Sequence, residues 1–100
     1  MTIYDKASWQ IDNNINQDMV IEHFSMVFKW LKQHDMLSKD GNDILSFGID
    51  EDASLNSQLL NDNGNKFLSE YYDKLIEVSQ YDISKEEKLL DSYYLEFTTR

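Results

Sequence analysis

From Asp18 to Met36 the apolar residues recur at the spacing of one wide helical face. Val20, Phe24, Val27, Phe28 and Leu31 stand at i, i+4, i+7, i+8 and i+11. Met19, Met26 and Trp30 add a flanking stripe, and Ile21 widens the arc. A helix apolar over so much of its circumference is covered on more than one side, so 18–36 is predicted to be the central helix, with the rest of the chain wrapped over it. Asn16 is the better N-cap for a helix that starts at Gln17, and Asp18 suits its first turn. Lys29, Lys32 and His34 fall toward the carbonyl-rich end, where cations are favoured.

The remaining pattern is also mainly helical. Ser38 offers a cap to a short helix over Asn42–Phe47, with Ile44, Leu45 and Phe47 facing inward and Gly48 stopping it in a left-handed conformation. Residues 53–60 stay open between helix and strand: Leu55, Leu59 and Leu60 suit a helix, while 55–59 alternate as an edge strand would. Phe67, Leu68, Tyr71, Tyr72, Leu75 and Ile76 form two adjacent rows of an amphipathic helix ending near Ser79. Ser84-Lys85-Glu86-Glu87 reads as a capping box ahead of Leu89, Leu90, Tyr93, Tyr94 and Phe97. One tyrosine of each pair, Tyr71 and Tyr93, is expected in the core and its neighbour at the edge. Residues 1–17 lack a sustained period and read as an extended arm, with room for a short strand, whose Tyr4 and Trp9 pack on the core. The expected fold is mostly α: one domain over 1–100, a compact bundle of about four helices around the helix at 18–36, with an extended N-terminal arm.

Composition supports one modest core. A chain of 100 residues forms a single domain, and its two Trp, five Phe and six Tyr can each bury on the order of 150–250 Å². Without cysteine neither a disulfide nor a thiolate metal site can form, which fits a reducing compartment. No run approaches the roughly 20 apolar residues of a transmembrane helix, and the first residues lack the pattern of a secretory signal. The expectation is a soluble cytoplasmic protein.

Charge narrows the partners. Nineteen acids against nine bases give a formal net charge of −10. Such a field opposes nucleic acid and anionic membrane, whose phosphates are bound by Lys and Arg, and it speeds encounter with a cationic protein. The plain account, that charge keeps a small protein in solution, carries comparable weight. Six acids lie between Lys39 and Lys66 with no base among them: Asp40, Asp43, Asp50, Glu51, Asp52 and Asp62. They are the candidate partner-binding residues.

Catalytic and cofactor chemistry find little support. His23 and His34 are eleven residues apart, about 16 Å along one helix, too far to share a metal, and His23 is expected at the core boundary. No cysteine, nucleophile elbow or glycine-rich phosphate loop is present. The stretch 50–65 lacks the register of an EF-hand. No enzyme activity, cofactor or metal is expected.

Three segments together resemble a known family. Tyr4-Asp5-Lys6-Ala7-Ser8-Trp9, Phe28-Lys29-Trp30-Leu31 and Asn63-Gly64-Asn65-Lys66-Phe67…Tyr71-Tyr72 occur in order along most of the chain. They resemble an uncharacterised family of small acidic bacterial proteins that opens with Tyr-Asp-x-Ala-x-Trp-His and later carries a Glu-Gly-Asn-x-Phe-x-x-x-Tyr-Tyr helix start. Gln10 stands here at the histidine position of that motif, so any role of that histidine would be missing. Members look like stand-alone proteins encoded near polymorphic toxin genes. The resemblance implies an immunity (antitoxin) protein acting on a cationic toxin domain, with a nuclease among the candidates. The alternatives are a nucleic-acid mimic that inhibits a nuclease, of the anti-restriction or anti-CRISPR type, and a structural or regulatory homo-oligomer. Oligomeric state is left open.

Overall fold

Local capping chemistry sets where the elements begin. The computed structural model describes residues 1–99, and in it the order is β1 (Ile3–Lys6), α1 (Ala7–Asp12), α2 (Gln17–Gln33), α3 (Lys39–Phe47), β2 (Ser54–Asn56), a 3-10 turn (Ser57–Leu59), α4 (Asp62–Ser79) and α5 (Ile83–Thr98). Asn16, Ser38 and Asn61 open α2, α3 and α4 by accepting the backbone N–H of Met19, Gly41 and Gly64. The fold is mostly α, as the periodicity predicts.

The α2 helix is the central one. Val20, Phe24, Val27, Phe28 and Leu31 are fully buried, and α1, α3 and α5 all pack against it. Its end comes at Gln33, earlier than the expected Met36, because Asp35 turns left-handed at φ 55°. Met36 and Leu37 still enter the core from the connection beyond. Trp30 stacks on Phe67 of α4, with ring centroids 5.1 Å apart, and its indole N–H donates to Asp91 of α5 at 2.9 Å. One aromatic contact and one hydrogen bond thereby tie three helices at a single residue.

Several expectations are corrected. Residues 1–17 do not form a plain extended arm: a strand runs directly into a short helix, α1, whose Ala7 is buried while Trp9 lies on the surface under the Lys6 ammonium. The ambiguous 53–60 segment divides between a strand and a 3-10 turn. The expected capping box at Ser84–Glu87 is absent. Asp82 is the cap, accepting both the N–H and the hydroxyl of Ser84, so the serine donates instead of capping. Tyr72 is buried together with Tyr71, because α4 is covered on two sides.

The largest correction concerns α3. Gly41 lies against the backbone carbonyl of Leu59, so close that even a Cβ would collide with it. This fixes the inward face at Gly41 and half-buried Leu45, one turn on. Ile44 and Phe47 are thereby rotated outward, Phe47 to 90% exposure. Gly48 ends the helix at φ 107°, ψ 150°, a positive-φ conformation open to glycine but outside the left-handed helical region that was expected.

Strands β1 and β2 pair antiparallel with Ile3 opposite Asn56, Asp5 opposite Leu55 and Lys6 opposite Ser54. One residue, Tyr4, separates Ile3 from Asp5 where their partners are adjacent, so β1 carries a bulge. Asp5 sits just past that bulge and is almost wholly buried.

Candidate functional site

Two regions hold polar chemistry that the core alone does not require. The first is an interior network joining β1, α2, α4 and α5. Asp5 is its centre: Oδ2 accepts the hydroxyls of Tyr72 (2.6 Å) and Tyr81 (2.7 Å), and Oδ1 accepts the Gln10 amide (2.9 Å) and the Lys6 backbone N–H (2.8 Å). With four donors aimed at it, Asp5 acts purely as an acceptor, as a carboxylate. The Tyr72 proton is committed to Asp5, so the 2.9 Å contact between Tyr72 and His23 requires Nε2 of His23 to donate. The other ring nitrogen, Nδ1, meets Oε2 of Glu86, and both side chains are completely buried. Oε1 of Glu86 and the Ser79 hydroxyl have no hydrogen-bond partner among the described residues.

The backbone holds this network in place. Gln80 and Tyr81 both adopt left-handed φ values, 49° and 65°, a conformation costing non-glycine residues on the order of 1–2 kcal/mol. The double turn reverses the chain between α4 and α5 and brings the Tyr81 hydroxyl to Asp5. Burial first, and then the Asp5 charge, push the Tyr72 hydroxyl well above its ordinary pKa; burial and the hydrogen bond to Asp5 do the same for Tyr81. Both therefore remain donors across the physiological range.

Chemically the network is saturated around Asp5 and closed around His23 and Glu86. A cleft lined by Tyr4, Trp9, Gln10 and Tyr81 reaches the Asp5 side, but the carboxylate there is already fully engaged. Among the described residues no three His, Asp or Glu side chains converge as metal ligands, and no helix is long and apolar enough to cross a membrane.

The second region is the surface of α3 and the segment leading to β2. Asp40, Asp43, Asp50, Glu51, Asp52 and Asp62 are all exposed. Asp40 is in the first turn of α3, and Asp43 pairs with Lys39 at 3.2 Å. Asp50 accepts the backbone N–H of Asp52 at 2.9 Å, which folds the three-acid run into a turn. Asp50 and Asp52 border a cleft of about 390 Å³ whose walls include Ile44, Phe47, Ile49 and Leu59. Asp62 belongs elsewhere, in the first turn of α4, and does not line the cleft.

Sequence reasoning did not find the interior network. It placed His23 at the core boundary, yet His23 is fully buried. The signal was present: His23 stands three residues after Val20 and four before Val27, within the apolar row. Glu86 likewise precedes Leu90 by four, within the row that continues to Tyr94 and Phe97. An acid and a histidine in two core rows call for each other when the rows face. Asp5 stands out in the sequence only as the second residue of the Tyr-Asp-x-Ala-x-Trp motif, and no hydrophobic row marks its burial, which follows the strand pairing.

Against protein-family models, curated proteins and solved structures, the chain finds no match in any of the three comparisons.

Proposed function

We propose that this chain is an immunity (antitoxin) protein that binds and blocks a cationic bacterial toxin domain through the acidic surface of α3 and the loop after it. The observation that carries the reading is Phe47, nine-tenths exposed, beside a cleft edged by Asp50 and Asp52. A bulky apolar side chain in water beside a run of acids is the composition of a docking face: the ring supplies desolvated contact area and the carboxylates select a basic partner. Steering by the net charge of −10 would speed the encounter, and burial of carboxylates against Lys or Arg would slow release.

The distribution of charge favours this over a nucleic-acid mimic. Lys29, Lys32, Lys66, Lys74, Lys85 and Lys88 are all exposed on α2, α4 and α5. A phosphate mimic needs carboxylates spaced along the whole surface, whereas here six acids without a base are concentrated in 40–65, and the acids of α2, α4 and α5 share their helices with those exposed lysines. The resemblance to small acidic proteins encoded near toxin genes supports the same reading. Its motif residues also meet in space: Tyr4 donates to Asn65 at 2.8 Å and Tyr72 to Asp5. Those residues therefore serve the fold, and the docking face is built from others.

The test is co-expression with the product of the adjacent gene and measurement of protection. Reversing Asp50, Glu51 and Asp52 to lysine should abolish protection and co-purification, since loss of one partner of a buried charge pair costs about 2–5 kcal/mol of binding. Full protection by the triple variant would remove this surface from the mechanism.

A further inference from the structure

We propose that the cleft beside β2 takes an extended, lysine- or arginine-bearing segment of the partner as a third strand on the free edge of β2, with Ile44 and Phe47 closing on an apolar side chain of that segment. This rests on the reading of an anionic docking face and names the kind of polypeptide that the face accepts.

The direction of the β2 backbone carries the argument. Its inner side is turned to β1: the Ala53 carbonyl accepts the Ala7 N–H at 3.0 Å, and the Ser57 N–H donates to the Thr2 carbonyl at 2.8 Å. Alternation along a regular strand gives Leu55 the same sense as Ala53 and Ser57. The backbone N–H and C=O groups of Ser54 and Asn56 are then directed to the opposite edge. Among the described residues the sheet has two strands only, so no strand of them pairs with that edge. An unpaired edge is a template for another chain unless charge, shortness or cover protects it. Here the edge is short and flanked by Asp50 and Asp52, which repel acidic strands and favour basic ones over neutral ones.

Ser54 and Asn56 line the same cleft as Ile44, Phe47 and Leu59. Main-chain pairing along an edge, with a pocket for alternate side chains, is the arrangement of strand-addition recognition. The Ser54 and Asn56 side chains are tied to each other at 3.1 Å, which stiffens the edge before a segment arrives. An apolar side chain on the incoming segment would fill the cleft, and its basic neighbours would reach the flanking carboxylates.

Three peptides of about ten residues, a length that suits one strand, test this on the intact protein. One alternates lysine with valine, the second replaces lysine by glutamate, and the third is the lysine peptide with every backbone nitrogen methylated. The lysine peptide should bind at low ionic strength and slow hydrogen exchange at the Ser54 and Asn56 amides. Backbone methylation should weaken it tenfold or more, and Phe47→Ala on the protein should weaken it on the order of tenfold. If the methylated peptide binds as well as its parent, or the two amides stay unprotected in the complex, strand addition is wrong while the anionic docking face stands. Equal binding of the lysine and glutamate peptides overturns the docking face as well. No binding of the lysine peptide overturns the proposal.

Discussion

Carboxylates sit at both extremes of solvent contact in this molecule, and the two settings use them differently. Asp5 and Glu86 are inside, each held against groups from other elements. Asp50, Glu51 and Asp52 are outside on a turn, bonded to little beyond their own backbone. An interior carboxylate loses its hydration and needs partners within the protein, four donors at Asp5 and the His23 ring at Glu86, so it specifies where β1, α2, α4 and α5 meet. An exterior carboxylate keeps its water, contributes little to stability and stays free for a partner. The acid count therefore misleads as a guide to function: the same residue type is architecture in one place and recognition surface in the other.

That contrast can be broken or sharpened by substitution. The largest effect is expected for His23→Leu, which leaves Glu86 buried without its counterpart and should lower unfolding free energy by about 3–5 kcal/mol. Adding Glu86→Leu should recover most of that loss, since a well-packed apolar pair often replaces a buried ionic one at no cost. Urea titration of the two variants measures both values, and a double variant as unstable as the single one would mean that the pair stabilises this fold outright. Asp5→Ala strands the Tyr72 and Tyr81 hydroxyls, at about 1–3 kcal/mol each, and should be visible as a lower melting temperature.

A pH titration makes the next distinction. The folded state holds the Tyr72 and Tyr81 protons above the ordinary tyrosine value of 10.0. The stability they confer is intact below about pH 10 and is lost as pH rises through the folded-state values, because there the unfolded chain releases protons that the native one retains. Tyrosinate absorbance should consequently show these two hydroxyls ionising together with loss of helical circular dichroism. Their ionisation in a protein still fully helical would show that the network is looser than the hydrogen bonds imply.

The smallest effect belongs to the outside. Replacing Asp50, Glu51 and Asp52 by lysine should change unfolding free energy by no more than about 0.5 kcal/mol, as for exposed positions generally, while removing partner binding. A large stability loss in this variant would place those carboxylates in the fold and erase the contrast.

Much of the architecture was legible because it follows from local rules. The helical face of α2, the rows of α4, and the caps at Asn16 and Ser38 depend on residues a few positions apart, and those relations survive in the linear order. The acids of 40–65 were equally legible, since a stretch without lysine can be counted. The orientation of α3 was not, because an inward reading of Ile44 and Phe47 was consistent with the pattern until the Leu59 carbonyl claimed the space at Gly41. The capping box failed for a related reason: Asp82 competed for the same donor and lay closer.

By itself the sequence determined a mostly helical domain around one apolar helix, a strongly negative charge and the absence of any thiol chemistry. Tertiary structure alone decided that Asp5 meets Tyr72 and Tyr81, that His23 meets Glu86, and that Phe47 faces water beside an unpaired strand edge. Periodicity encodes which residues of an element lie on one face. Which face turns inward, and what waits on the far side, depends on contacts between positions as far apart as Asp5 and Tyr81, and those exist only once the chain has closed.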